Sequence, residues 1–237
     1  MQMTGPQGQK IEAILFDKDG TLMDFQRSWG PWTAWVIESR SAAQGADKNA
    51  VAQALGFDLA AQTFHPDSAV IAGTPEDVVT ILQPFFPANT PQEIVGWLDP
   101  DATHFTPAIV PGVKESCDVF GRLGVKQAVV TNDFEAAAHD HLELMGLAHL
   151  FDAVIGYDSG FGGKPAAGPC LGAAGRLGVA PEACVMVGDS LHDLEAGLRA
   201  GMIPVAVLTG VAGAEDLAPH AAVVLDSVAD LPQWLCS

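Results

Sequence analysis

The sequence predicts an α/β protein, with a Rossmann-like parallel-sheet core, helices on both faces and a small all-helical domain inserted after the first strand. Three observations predict it. Short apolar runs are mostly continuous rather than alternating, as in strands buried on both faces. From residue 108 onward these runs alternate with helical patterns. One run stands apart at the N-terminus, separated from the others by some 80 residues of helical pattern.

The isolated strand is 11–16, IEAILF. Helical patterning follows at 28–41, 49–55, 75–85 and 91–97, in a segment rich in Ala, Gln and Trp that offers no buried strand. Then come helix 113–123, strand 127–130, helix 134–144, strand 153–155 and helix 168–177. Strand 184–187, helix 191–200 and strands 203–207 and 221–225 complete the chain. Gly124, Gly146, Gly178 and Gly201 fall at helix ends, where a left-handed residue closes the last turn. A lone strand followed by a helical block fits an insertion better than two sequential domains. The expected division is a catalytic core of 1–24 and 108–237 with a cap of 25–107.

The chain has 237 residues, 49% of them apolar, enough for a sizeable core. Eleven Lys and Arg face 29 Asp and Glu, a formal charge of −18. No Lys/Arg cluster offers a stripe for a phosphate backbone, so no nucleic-acid partner is expected, and no anionic membrane surface either. No apolar run approaches the length of a membrane span, and the opening MQMTGPQGQK has no apolar h-region. Cys117, Cys170, Cys184 and Cys236 lie far apart without CxxC spacing, which argues for reduced thiols rather than zinc or disulfides. A cytoplasmic monomer or homodimer is expected.

The first run breaks on Asp17-Lys18-Asp19-Gly20-Thr21, an ending of no use to a core. In open parallel sheets ligands sit beyond the carboxyl ends of the strands. Three other strand ends also lead into polar groups: Thr131-Asn132-Asp133, Gly163-Lys164-Pro165, and Gly188-Asp189-Ser190 with Asp193 downstream. A parallel sheet gathers all four on one edge. Asp17 is then placed to attack phosphorus and form an aspartyl phosphate. Asp19 is placed to protonate the leaving oxygen and afterwards to deprotonate water. Gly20 permits close backbone approach. Donors to the phosphoryl oxygens are the hydroxyls of Thr21 and Thr131 and the Asn132 backbone N–H. Lys164 screens nucleophile from anionic substrate, and Asp189 completes an oxygen site suited to Mg²⁺. Blander readings stand beside these. Thr131 and Asn132 are good helix caps, Asp193 is a first-turn acid favoured by the helix dipole, and Lys18 is either an added charge near the site or a solvated passenger.

FDKDGTL, VVTN, GGKP and GDSLHD stand in the order and approximate spacing of the four motifs of the haloacid dehalogenase superfamily. The chain resembles that family over essentially its whole length, and its phosphoglycolate phosphatase-like group most. PGV at 111–113 and AGLRAGMIPVAVLTG at 196–210 extend the resemblance. It implies a helical cap between the first and second motifs and Mg²⁺-dependent phosphoryl transfer. It also implies that Asp17, the Asp19 carbonyl and Asp189 hold Mg²⁺, with Asp193 in support. The sequence departs from the group at Lys18, usually apolar or aromatic, and at Ala167, where a second proline is common; the cap aligns poorly.

The expected activity is hydrolysis of a small phosphorylated metabolite, with 2-phosphoglycolate as the family-level substrate. A phosphomutase of the β-phosphoglucomutase type is the alternative on the same scaffold. A dehalogenase has no leaving oxygen to protonate and so no need of Asp19. A receiver-like signalling domain needs no insertion. In the cap, Arg27 just past the first hinge is the candidate for a substrate carboxylate, with His104 behind it. Trp29, Trp32 and Trp35 are read as packing.

Overall fold

The computed structural model describes residues 3–6, 8–98 and 103–236. In chain order the elements are β1 (Ala13–Phe16), α1 (Phe25–Gln44), α2 (Lys48–Ala54), β2 (Phe57–Asp58), β3 (Thr63–Phe64), α3 (Pro75–Leu82) and α4 (Pro91–Val95). There follow α5 (Val113–Arg122), β4 (Lys126–Val130), α6 (Glu135–Leu144), β5 (Ala153–Ile155), α7 (Gly168–Leu177) and β6 (Cys184–Gly188). The last are α8 (Leu191–Arg199), β7 (Ile203–Val207), α9 (Ala214–Leu217), β8 (Val223–Leu225) and α10 (Leu231–Leu235).

Among the described residues, six strands form one sheet in the order β5-β4-β1-β6-β7-β8, with every pair parallel. β1 lies at its centre, with Phe16 in register with Val129 on one side and Val187 on the other. The continuous apolar runs are explained by burial on both faces. Ala13 and Leu15 pack with Ala173 and Ala174 of α7 and Ala196 of α8, while Phe16, pointing the other way, meets the rings of Phe120 in α5 and Phe151. All four residues of β1 are fully buried, and each large side chain so buried contributes about 1.5–3 kcal/mol.

The chain divides into two compact units, Met1–Asp24 with Ile109–Ser237, and Phe25–Ala108. In the first, the strands at either side of the division are clamped: Met23 bridges Ile109 antiparallel, and the Val110 N–H donates to the Leu22 carbonyl at 3.0 Å. The second has its own core of Phe25, Ile37, Val51, Phe57, Phe64, Leu82, Phe86 and Ile94. Thr74 with Asp77 and Thr90 with Glu93 form capping boxes ahead of α3 and α4, each with proline at the first helical position.

The second unit is not all-helical. Phe57 pairs with Phe64 and Asp58 with Thr63 in a minimal antiparallel hairpin. The Asp58 carboxylate accepts the N–H groups of Ala60 and Ala61, and Gln62 takes a positive φ of 55° to complete the reversal. Two-residue strands are too short for any alternation to show in the sequence. The tryptophans do pack: Trp29 meets Trp32 and Phe105, and Trp35 stacks on His104 at 3.9 Å between ring centroids.

Candidate active site

Three adjacent strands, β4, β1 and β6, are followed directly by Thr131, Asp17 and Asp189. Because the strands are parallel and in register, these residues emerge at one edge of the sheet. The Asp17 N–H still donates to the Val187 carbonyl, so its backbone is held by the ladder itself. Lys164 arrives on the loop between β5 and α7, and its ammonium donates to Asp17 Oδ1 and Asp193 Oδ1, both at 2.6 Å.

Asp17, Asp189 and Asp193 are all buried, with ligand oxygens within 4.8 Å of one another. Three buried carboxylates against one ammonium leave an uncompensated negative surplus, which an apolar surrounding cannot tolerate. Burial raises the Asp17 carboxyl to about 7, with the charge of Asp193 adding to the rise and Lys164 opposing it. Burial likewise pushes Asp189 well above the usual carboxylate range, helped by Asp17 and Asp193. Lys164 stays charged: burial alone would lower its pKa, but Asp17 and Asp193 outweigh that and raise it.

The backbone makes room for this cluster. Gly20 has a φ of 85°, and a Cβ on it or on Gly210 would overlap the Asp189 carboxylate. The Thr209 hydroxyl donates to the Gly20 carbonyl and closes the same cradle. An all-oxygen donor set, a charge surplus and a glycine cradle together fit a hard divalent cation.

Several residues take partners that differ from those expected. The Thr21 hydroxyl, read as a phosphoryl donor, donates to Asp189 Oδ1 at 3.0 Å. Thr131 and Asn132 do not cap α6, whose N-cap is Phe134 without a side-chain bond. Instead Thr131 Oγ1 accepts from the Asp133 N–H, and the Asn132 carboxamide holds the Lys164 backbone, accepting from its N–H at 2.7 Å and donating to its carbonyl at 2.9 Å. Asp193 is both a cap and a site group: Oδ2 accepts from the Ser190 N–H and hydroxyl, while Oδ1 takes Lys164. Arg27 lies on the exposed side of α1 in the second unit.

Lys18 is no solvated passenger. It is fully buried, with its ammonium 2.8 Å from Asp19 Oδ2, 3.0 Å from Asp133 Oδ2 and 2.9 Å from His141 Nδ1. Burial opposes its charge, but Asp19 and Asp133 outweigh burial and raise its pKa. Gly20 was read for close backbone approach; Gly210 beside it and the partners of Lys18 are the features that sequence reasoning missed. Gly210 ends AGLRAGMIPVAVLTG, which was a usable signal; His141 carries none, since its spacing from His139 implies no shared face.

The model of haloacid dehalogenase-like hydrolases matches residues 11–201, most of the chain. The protein belongs to the haloacid dehalogenase-like hydrolase family. Within this family, the chain is 34% identical over 130 residues to a phosphoglycolate phosphatase of Chromobacterium violaceum, covering 55% of this chain and 57% of that relative's length. It is 30% identical over 210 residues to a phosphoglycolate phosphatase of Xylella fastidiosa, covering 86% of this chain and 82% of the other. Among solved structures, CbbY from Rhodobacter sphaeroides in complex with phosphate superposes with a TM-score of 0.68 at 23% identity, covering 96% of this chain and 100% of that one, a likeness of fold. Among the described residues, no helix of this hydrolase is long and apolar enough to cross a membrane.

Proposed function

We propose that the protein is a phosphatase of small-metabolite phosphomonoesters, with a phosphoglycolate-like substrate and an aspartyl-phosphate intermediate on Asp17. The observation that carries this reading is the Lys164 bridge between Asp17 and Asp193 at the end of the central strand, at 2.6 Å to each. A lysine there neutralises part of the repulsion between a carboxylate nucleophile and an anionic phosphoryl group, and it holds the attacking oxygen in place.

In the first step a carboxylate oxygen of Asp17 bonds to phosphorus while the bond to the ester oxygen breaks, and Asp19 gives that oxygen a proton. In the second, Asp19 takes a proton from water as the water oxygen bonds to phosphorus and the bond to Asp17 breaks, releasing phosphate. The Asn132 N–H and the Thr131 hydroxyl are proposed to bind the phosphoryl oxygens, with Gly20 and Thr21 keeping the Asp189 carboxylate aligned. Mg²⁺ is the cation these donors fit, held by Asp17, Asp189 and Asp193 with the Asp19 carbonyl that the resemblance implies; when bound it supplies positive charge opposite the transferring phosphoryl group. The inserted unit is proposed to act as the cap, with Arg27 as the cation for a carboxylate on the substrate.

Phosphate release from a panel of esters including 2-phosphoglycolate and sugar phosphates, with Mg²⁺ and with chelator, tests the reading. Mg²⁺-dependent release that Asp17→Asn abolishes while the far-UV spectrum is unchanged is the expected result. Near-normal turnover by Asp17→Asn would sink the nucleophile. Isomerisation of a sugar phosphate without free phosphate, dependent on a bisphosphate activator, would favour the phosphomutase.

A further inference from the structure

The Lys18 ammonium sits among three acceptors drawn from three parts of the sheet unit: Asp19 on the loop after β1, Asp133 on the loop after β4, and His141 within α6. An ammonium has three N–H donors and no acceptor, so His141 Nδ1 must accept and the ring proton resides on Nε2. The environment of His141 agrees. Burial first, and the Lys18 charge second, hold it down to about 3, so the ring is neutral at ordinary pH. Asp19 and Asp133 both lie within ion-pair distance of the ammonium and together hold its charge.

Stability does not account for this arrangement. A buried ion pair replaced as a whole by apolar groups of similar volume often loses little, so a core does not require charges here, although removing Lys18 alone would take the ammonium from both Asp19 and Asp133. What the cluster does instead is geometric. Asp133 and His141 restrain the ammonium at 3.0 and 2.9 Å, and the ammonium restrains Oδ2 of Asp19 at 2.8 Å. We propose that Lys18, seated by Asp133 and His141, is a positioning residue that orients the Asp19 carboxyl toward the ester oxygen leaving phosphorus. The inference rests on the phosphatase reading above.

The test separates substrates that need a proton on the leaving oxygen from those that do not. Single-turnover release of the leaving group is measured for 2-phosphoglycolate, whose alkoxide must be protonated, and for p-nitrophenyl phosphate, whose phenolate leaves unaided. Lys18→Met is expected to slow the alkyl ester on the order of 100-fold and the aryl ester by less than about 10-fold, the difference being the share of general-acid catalysis. A second pair guards against a lysine variant that does not fold. His141→Leu, which removes the acceptor behind Lys18, is expected to lower the alkyl-to-aryl rate ratio. His141→Gln, which keeps a carbonyl acceptor, is expected to restore it toward the wild-type value. Equal losses on both esters, or a ratio indifferent to the acceptor at position 141, would overturn the positioning role while leaving the phosphatase reading intact. A wild-type enzyme inert toward both esters would overturn that reading and the inference with it.

Discussion

Asp17 is held in opposed fields: a lysine 2.6 Å away and two further buried carboxylates beside it. The net effect raises its pKa from 3.8 to about 7, so folding favours the protonated form. Stability from this shift is fully present below the unfolded value and is lost as pH rises through the folded one. One pKa unit corresponds to about 1.4 kcal/mol, so the loss is on the order of a few kcal/mol. In metal-free buffer Asp17→Asn should therefore melt near the wild type at about pH 4 and several degrees above it at about pH 8. Mg²⁺ at the higher pH should raise the wild type more than the variant. A melting difference independent of pH would contradict this account. Gly210→Ala tests the cradle: its methyl group overlaps the Asp189 carboxylate, and Mg²⁺ affinity from thermal shift should fall at least about tenfold. Asp17, Asp189 and Lys164 were readable because each follows a strand or precedes a turn proline. Lys18 was not, because the partner that explains it, His141, lies 123 positions away.

Helix α8 shows how one element serves packing and chemistry together. Its first turn is closed by Ser190 and Asp193 bonding reciprocally, and the same Asp193 presents Oδ1 to Lys164. Ser190→Ala should cost about 1 kcal/mol in unfolding free energy, a usual value for a lost cap. It should also lower kcat more than it raises KM, because Asp193 then holds Lys164 less rigidly. A stability loss with unchanged kinetics would show that the cap and the lysine bridge are independent. At this scale the sequence was informative wherever apolar runs and helix-end glycines coincided: β5, α7 and β7 lie where the pattern placed them. It was silent on β2 and β3, whose pairing depends on Asp58 collecting two N–H groups rather than on periodicity.

Among the described residues, the six-stranded parallel sheet was legible because its inner strands are buried on both faces, so neither face relieves the run of apolar residues. The second unit was legible only as helical composition, since its core of Phe, Leu, Val and Ile carries no motif. Replacing residues 25–108 by a short Gly/Ser linker should leave a folded sheet unit, because the ends to be joined are already paired at Met23 and Ile109. Far-UV circular dichroism together with a Mg²⁺-induced rise in melting temperature would show it; an unfolded product would mean the insertion is needed for folding. The same paired ends make the insertion point a socket. Segments of different length and shape can be exchanged there without moving the strand that bears Asp17, so a chimera carrying another relative's inserted segment should change which esters are accepted before it changes how phosphorus is transferred. Under selection, the two parts of such a chain are free to diverge at different rates.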